Sequence, residues 1–388
     1  MNPIVIKLGI VSFFADVASE MLYPVTPIFL TATLGASMTS IGVIEGIAEA
    51  IASLLKTYSG AWSDRLAKRK PFIVAGYFLG AISKPWIGLS HRWTEVLLAR
   101  AMDRTGKGLR SAPRDALIAD SVTLANRGAA FGWHRAMDTF GAAVGPLIAV
   151  GFLAYHPDSL RSLYYWALLP GLISVFIVLT IREKRHHAAP GPTWTNPFRA
   201  WAEMPTPFKK YVCAWGAFSL TNSSDVFLIL QAKASGLSST WVILLYCAYN
   251  LVYSLSSPYL GRLSDSIERK HVLIFGLLVF VAVYVGFGFA SAPWHFCVLF
   301  FTYGFYMAAT DGVGKALAVD LTPAHLKATG IGMLGTVTGF ATIVASISAG
   351  LIWDHFGARW TFLFGAFGAL VASLMLLRIR SNLVVADR

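Results

Sequence analysis

Apolar stretches long enough to cross a bilayer follow one another along almost the whole chain. A hydrocarbon layer of ~30 Å asks for about 20 apolar residues per helical span. Segments of that kind fall near 5–32, 38–59, 71–90, 94–119, 129–154, 162–181, 211–232, 239–260, 271–291, 294–319, 328–352 and 360–379. Backbone groups in lipid must be satisfied within the segment, so each is expected to be a helix. One long polar, Pro-containing stretch breaks the series, from Arg182 through Lys184, Arg185, His186 and His187 to Lys209 and Lys210. The pattern predicts an all-α membrane protein of twelve spans: a six-helix bundle over 1–181, a linker over 182–210 and a second six-helix bundle over 211–388. The first apolar run contains Asp16 and Glu20 and no small-residue cleavage site, so it reads as a mature span rather than a signal peptide.

Composition supports this. Of 388 residues, 56% are hydrophobic and 13% charged, about half the charged share of a soluble domain. The net charge of +12 would suggest a nucleic-acid partner if the cations formed one patch. They are instead divided by the spans: 19 basic residues fall on the side of the N-terminus and four, Arg92, Arg161, Lys233 and Arg359, on the other. That bias places both termini and the linker in the cytoplasm and the chain in the cell membrane, and argues against nucleic acid. Cys213, Cys247 and Cys297 lie singly in apolar runs, which supports neither a disulfide framework nor a zinc site.

The two halves repeat at an offset near 200. Gly60-x-x-x-Asp64 followed by Lys68-Arg69-Lys70 matches Gly261-x-x-x-Asp265 followed by Arg269-Lys270. Leu34-Gly35 matches Ser235-Gly236 in part, Ala116-Leu117-x-x-Asp120 matches Ala316-Leu317-x-x-Asp320, and Gly132 matches Gly332. Two similar bundles are an architecture of transporters that rock around a central site. The loop Gly60-Ala-Trp-Ser-Asp64-Arg65-Leu-Ala-Lys68-Arg69 resembles the signature between helices two and three of the major facilitator superfamily, with Gly261–Lys270 as its weaker copy; the family's second glycine is Ala67 here and Glu268 in the repeat. In the fifth span Gly141-x-x-x-Gly145-Pro146 resembles the motif of the drug/proton antiporter branches, although a glycine pair of that pattern is replaced by Ala149-Val150. Taken as sequence alone, small residues four apart also let two helices approach closely, and a proline bends a helix.

An ionisable side chain at mid-bilayer is a functional hypothesis by default. The predicted spans hold Asp16, Glu20, Glu45, Glu49, Asp103, Asp115, Asp120, Asp138, Asp225, Asp311 and Asp320, with Lys56, Lys84, Arg100, Arg104, Lys107, Arg110, Arg114, Arg135 and Lys315. Most are in the first half. In the fourth span Arg100, Asp103, Arg104, Lys107, Arg110, Arg114 and Asp115 fall within an arc of roughly 140° at 100° per residue. Such a face must look into the bundle or into water; a salt-bridge ladder tying helices one, two and four is the purely structural alternative. The resemblance places helices one, four, seven and ten around the cavity, so Arg104 would look at Asp16 and Glu20. Asp16 lies about eleven residues into its span, or ~16 Å at 1.5 Å per residue. Burial disfavours an ionised carboxyl and a nearby Arg favours it, the competition a proton-exchanging site needs. Asp16, Glu20 and Arg104 are the candidates for proton coupling. The candidate substrate cavity is Asp16, Glu20, Tyr23, Arg100, Arg104, Asp225, Asp311 and Lys315; Asp311 and Lys315 are four apart and could pair with each other. Asn222, Ser223 and Ser224 before Asp225 suggest a local break in helix seven, and Pro24 and Pro27 a kink in helix one. By resemblance Asp64, Arg65, Arg69, Asp120, Asp265 and Arg269 gate the cavity, and Gly141, Gly145 and Pro146 form a packing motif.

The expected function is secondary active transport by alternating access: export of a small organic molecule in exchange for protons. Transport of an organic anion is the alternative, motivated by the basic face of helix four; a metal-ion exporter and a transport-dead receptor are weaker ones. No nucleophile–base pair or nucleotide motif points to an enzyme. No cofactor is expected, the proton gradient supplying the energy. The expected partners are a small-molecule substrate and the bilayer, and the chain is expected to act as a monomer.

Overall fold

The computed structural model describes residues 2–66, 68–123, 127–156, 159–183, 201–323 and 326–379. Two compact units emerge. The first comprises Met1–Ala36, Ile47–Thr193 and Leu237–Cys247; the second comprises Ser37–Gly46, Trp194–Gly236 and Ala248–Arg388. Their division falls inside the expected linker, but residues 37–46 and 237–247 group with the unit opposite to their half of the sequence.

The elements of the first half are α1 (Pro3–Glu20), α2 (Val25–Ile28) with a π-helical turn Phe29–Thr33, α3 (Met38–Arg65), α4 (Lys70–Leu89), α5 (Trp93–Asp120), α6 (Arg127–Tyr155), α7 (Leu160–Trp166) and α8 (Leu168–Leu179). Asn2 starts α1 as an N-cap, its side chain accepting from the Ile4 N–H at 2.9 Å, with Pro3 in the first turn, where a missing N–H is harmless. The helix stops at Glu20 and resumes at Val25, so the kink expected from Pro24 and Pro27 is an interruption directly after the carboxylates. A core of Val5, Leu8, Val11, Ile73, Tyr77, Leu117 and Val175 joins α1, α4, α5 and α8.

The second half continues with α9 (Thr206–Ser219), α10 (Val226–Ala234), α11 (Ser239–Ser266), α12 (Arg269–Phe289), α13 (Pro293–Asp320), α14 (Lys327–Phe356) and α15 (Ala358–Leu377). The gap between α9 and α10 is the break expected before Asp225. Aromatic rings fill this unit's interior: Phe280 stacks on Tyr284 at 3.7 Å between centroids, and Phe287 on Phe362 at 5.4 Å. The partial Leu34-Gly35 and Ser235-Gly236 repeat has a backbone cause. Gly35 and Gly236 take φ of +61° and +91°, a region that suits glycine, where each first or seventh span ends and the next helix begins.

Among the described residues, eight helices are long and apolar enough to cross a membrane. The predicted spans outside that set are 5–32, 94–119, 211–232 and 239–260, which are the charged, broken or Tyr- and Ser-rich ones. Large apolar side chains lie open on the long helices, including Phe176 at 65%, Phe367 at 65% and Leu374 at 54% exposure. Such a surface would be an association liability in water and is the natural one in lipid.

Glycines set the closest helix contacts. A Cβ on Gly76 of α4 would stand 2.5 Å from the Gly106 carbonyl and 2.6 Å from Arg110 Cβ of α5. A Cβ on Gly108 would stand 2.6 Å from Leu55 Cβ of α3. Thr105-Gly106-Lys107-Gly108 is thus a packing device, one glycine serving each neighbour. Overpacking ordinarily costs about 1–3 kcal/mol, so Gly76→Val is expected to lower the thermal midpoint of the detergent-purified protein clearly. Gly151→Ala, which meets nothing within 4 Å, should not lower it. Equal midpoints for the two variants would contradict this packing.

Candidate functional site

The last two turns of α1 carry Asp16 and Glu20, and α6 lies against them. A Cβ on Gly141 would be 2.5 Å from the Phe13 carbonyl and 3.1 Å from Asp16 Cβ; one on Gly145 would be 2.8 Å from both Val17 O and Met21 N and 3.2 Å from Glu20 Cβ. The motif of α6 is therefore the seat of the two carboxylates, with one glycine opposite each. Pro146 follows inside the same helix. One turn earlier in this register, Ser12 Oγ donates to Asp138 Oδ1 at 2.6 Å, and the Asp16 and Asp138 side chains lie within hydrogen-bonding reach of each other. Glu20 Oε2 accepts from the Tyr246 hydroxyl at 2.6 Å, and the Tyr246 ring packs on Tyr23 with centroids 5.2 Å apart.

The basic face of α5 completes this part of the first unit. Arg100, Arg104 and Arg110 are buried, at 7%, 9% and 8% exposure. Lys107 and Arg104 act electrostatically on Glu20; Arg104, Lys107, Arg100 and Lys56 act on Glu49. Lys84 Nζ donates to the Gly80 carbonyl at 2.6 Å and pairs with Asp103 at 3.3 Å. The Arg110 guanidinium lies 4.4 Å over the Tyr77 ring, and Arg114 pairs with Asp115 at 2.9 Å. The helix therefore mixes ladder and cavity chemistry: its flank toward α4 is tied up in Lys84, Asp103 and Tyr77, while Arg104 and Lys107 act on the carboxylates of α1 and α3. Three expectations change in detail. The Arg135 side chain is 66% exposed beside Asp138 rather than buried, Lys56 is exposed, and Glu45 is met by Ser224 Oγ at 3.5 Å, away from α5.

The second unit holds the remaining candidates in two places. Asp225, at the start of α10, accepts from Tyr303 at 2.6 Å and from Tyr249 at 3.0 Å. Tyr303 is buried at 1% exposure and supports Asp225 rather than forming a cavity wall. Asp311 pairs with Lys315 at 2.7 Å and accepts from Tyr253 at 2.9 Å. Their side chains are 41% and 63% exposed, and on a membrane helix such an exposed charged pair needs water.

The repeated loops repeat their contacts. Arg69 pairs with Asp120 at 2.9 Å and Arg269 with Asp320 at 2.7 Å. Lys70 Nζ caps the Leu179 carbonyl at 2.7 Å, and Lys270 Nζ caps Ile379 at 3.1 Å. Glu183, which the sequence does not single out, accepts from the Arg69 and Lys70 N–H groups at 2.7 and 3.0 Å. The side chains of Asp64, Arg65 and Asp265 lie outside the described residues. Asp138 and the Glu20–Tyr246 bond are the features of the first unit that sequence reasoning did not connect. Asp138 had a signal, lying three residues before Gly141; Tyr246 had none, since its partner is 226 residues away.

The Major Facilitator Superfamily model matches residues 8–230 and 211–384. An uncharacterised MFS-type transporter of Methanocaldococcus jannaschii is 34% identical over 380 residues, covering 96% of this chain and 94% of that one. A class H tetracycline resistance protein of Pasteurella multocida is 31% identical over 140 residues, covering 35% of this chain and 34% of that one. The crystal structure of a nucleoside transporter, NupG, superposes with a TM-score of 0.78 at 14% identity, covering 97% of this chain and 99% of the other; at that identity the likeness is one of fold. With buried charge gathered around two broken helices, apolar exposed flanks and a match along nearly its whole length, the chain belongs to the Major Facilitator Superfamily and is a multi-pass membrane transporter of the secondary type.

Proposed function

We propose that this transporter exports a small organic molecule from the cytoplasm in exchange for protons. In this reading it has twelve spans, with both termini and the linker cytoplasmic, and works by alternating access in the cell membrane. The observation that carries the reading is the seating of Asp16 and Glu20 against Gly141 and Gly145, with Arg104 and Lys107 acting on Glu20 from α5. A protonated carboxyl there is neutral and leaves the cations of α5 to their other partners. An ionised one draws them. Substrate and proton can then compete for the same group, and each state favours a different set of pairs. The short match to a tetracycline resistance protein supports export. The Arg69–Asp120 and Arg269–Asp320 pairs suit a gating role, forming in one state and breaking in the other.

A second reading is transport of an organic anion, favoured by Arg100, Arg104 and Lys107 on one face of α5. Inverted membrane vesicles energised to an acid interior separate the two. With export by antiport, tetracycline or ethidium as probes should partly collapse the pH gradient, reported by a quenched acridine dye, and Asp16→Asn and Glu20→Gln should reduce the collapse at least tenfold. Collapse by benzoate and not by those probes supports the anion reading. Transport of any probe at an unchanged rate without the gradient and in both variants would show that proton coupling at these residues is wrong.

The gating pairs are partly exposed, and exposed pairs contribute at most about 1 kcal/mol to stability. Arg69→Ala and Arg269→Ala are therefore expected to cut probe flux severalfold while leaving the thermal midpoint nearly unchanged. A midpoint that falls in step with flux would mean that the pairs only hold the fold.

A further inference from the structure

Asp138 stands outside the account given so far, although it shares the most buried part of the α1–α6 seam. The two helices meet in a parallel register that sets Ser12 beside Asp138, Asp16 beside Gly141 and Glu20 beside Gly145. Gly141 draws α6 so close that no side chain separates Asp16 from the turn that bears Asp138. We infer that Asp16 and Asp138 form a carboxyl pair that holds a single proton between α1 and α6, so that Asp138 belongs to the proton site.

The chemistry follows from the placement. Two carboxylates in contact inside a bundle repel strongly if both are ionised, whereas one carboxylic acid can donate to the other carboxylate. Their titration then belongs to the pair and to neither residue alone. Ser12 has a definite part in this: its hydroxyl donates to Asp138 Oδ1 at 2.6 Å, leaving Asp138 to accept and Asp16 to donate. When the proton leaves, no bond other than O–H breaks and two carboxylates remain. The cations facing them from α5 are Lys107, Arg110 and Arg114. The other ionisable groups near the pair are Glu20 on α1 and His134 and Arg135 on α6, while α8, packed on α1, has no titratable side chain. Release of the proton therefore strengthens the pull between α1, α6 and the basic face of α5, the mechanical output an alternating-access cycle requires.

The role in transport rests on the proton-coupled reading above; the sharing of the proton does not. Infrared spectra of the purified full chain test the sharing without any substrate. Glu20→Gln serves as the background so that only the pair is read. At neutral pH this background is expected to show a protonated-carboxyl C=O band, and adding either Asp16→Asn or Asp138→Asn should remove it. Adding Ser12→Ala, which keeps both carboxyls and replaces a side chain by a smaller one, should shift its frequency. A band that survives in the Asp138→Asn variant, or that Ser12→Ala leaves unmoved, overturns the pair. Dye-quench assays on the same variants keep the two claims apart. If the band behaves as stated while no probe collapses the gradient, the pair stands and the transport reading fails. If probe flux depends on Asp16 but Asp138→Asn keeps both flux and band, the transport reading stands and the pair fails.

Discussion

A charge removed from water must be given a partner, and in a bilayer there is no inexpensive alternative. Much of the first unit is organised by that constraint. Its buried cations are concentrated on α5, and the carboxylates that answer them come from three other directions: Asp16 and Glu20 on α1, Glu49 on α3 and Asp138 on α6. An arrangement of this kind is stable as a whole and sensitive in its parts. Neutralising any one carboxyl changes which partners the rest can hold, and protonation is the natural means of doing so.

Close helix packing makes these encounters possible. Gly76 with Gly106 brings α4 to α5, Gly108 brings α3 to α5, and Gly141 with Gly145 brings α6 to α1. At the last seam, a glycine faces each carboxylate-bearing turn, so the same residues that let the helices touch define the space around Asp16 and Glu20. The interruption of α1 after Glu20 and of the seventh span before Asp225 sets each carboxylate at a helix break. There backbone groups are freed from the ladder and the chain can bend. The second unit uses tyrosines where the first uses cations: Tyr249, Tyr303 and Tyr253 hold Asp225 and Asp311. An acid held by neutral donors keeps its place without a buried countercharge.

Legibility in the sequence followed the range of the physics involved. Apolar run length reports burial in lipid directly, so the helices, the linker and the two breaks could be read from local pattern. Repeat-related contacts were legible too, since Arg69–Asp120 and Arg269–Asp320 sit on matched motifs. The Asp311–Lys315 pair follows from spacing along one helix. What pattern could not supply were contacts whose partners are far apart in the chain. Nothing near Glu20 announces Tyr246, and Glu45 and Glu49, one turn apart on α3, turn to different units because a helix shows different faces along its length. Arg135 appeared buried because it lies in an apolar run, yet its position on α6 carries it outward. The boundaries of the compact units were equally hidden, since residues 37–46 and 237–247 belong by packing to the unit that their place in the chain does not indicate.

The central claim is that substrate and proton compete at the carboxylates of α1. Proton release on binding measures it most directly. A compound first shown to be transported in vesicles is added to purified protein in unbuffered detergent solution, with binding followed in parallel by calorimetry. The account predicts acidification that saturates with binding in the wild type and is absent in Asp16→Asn. Binding of the compound to the wild type with no change in pH would contradict it.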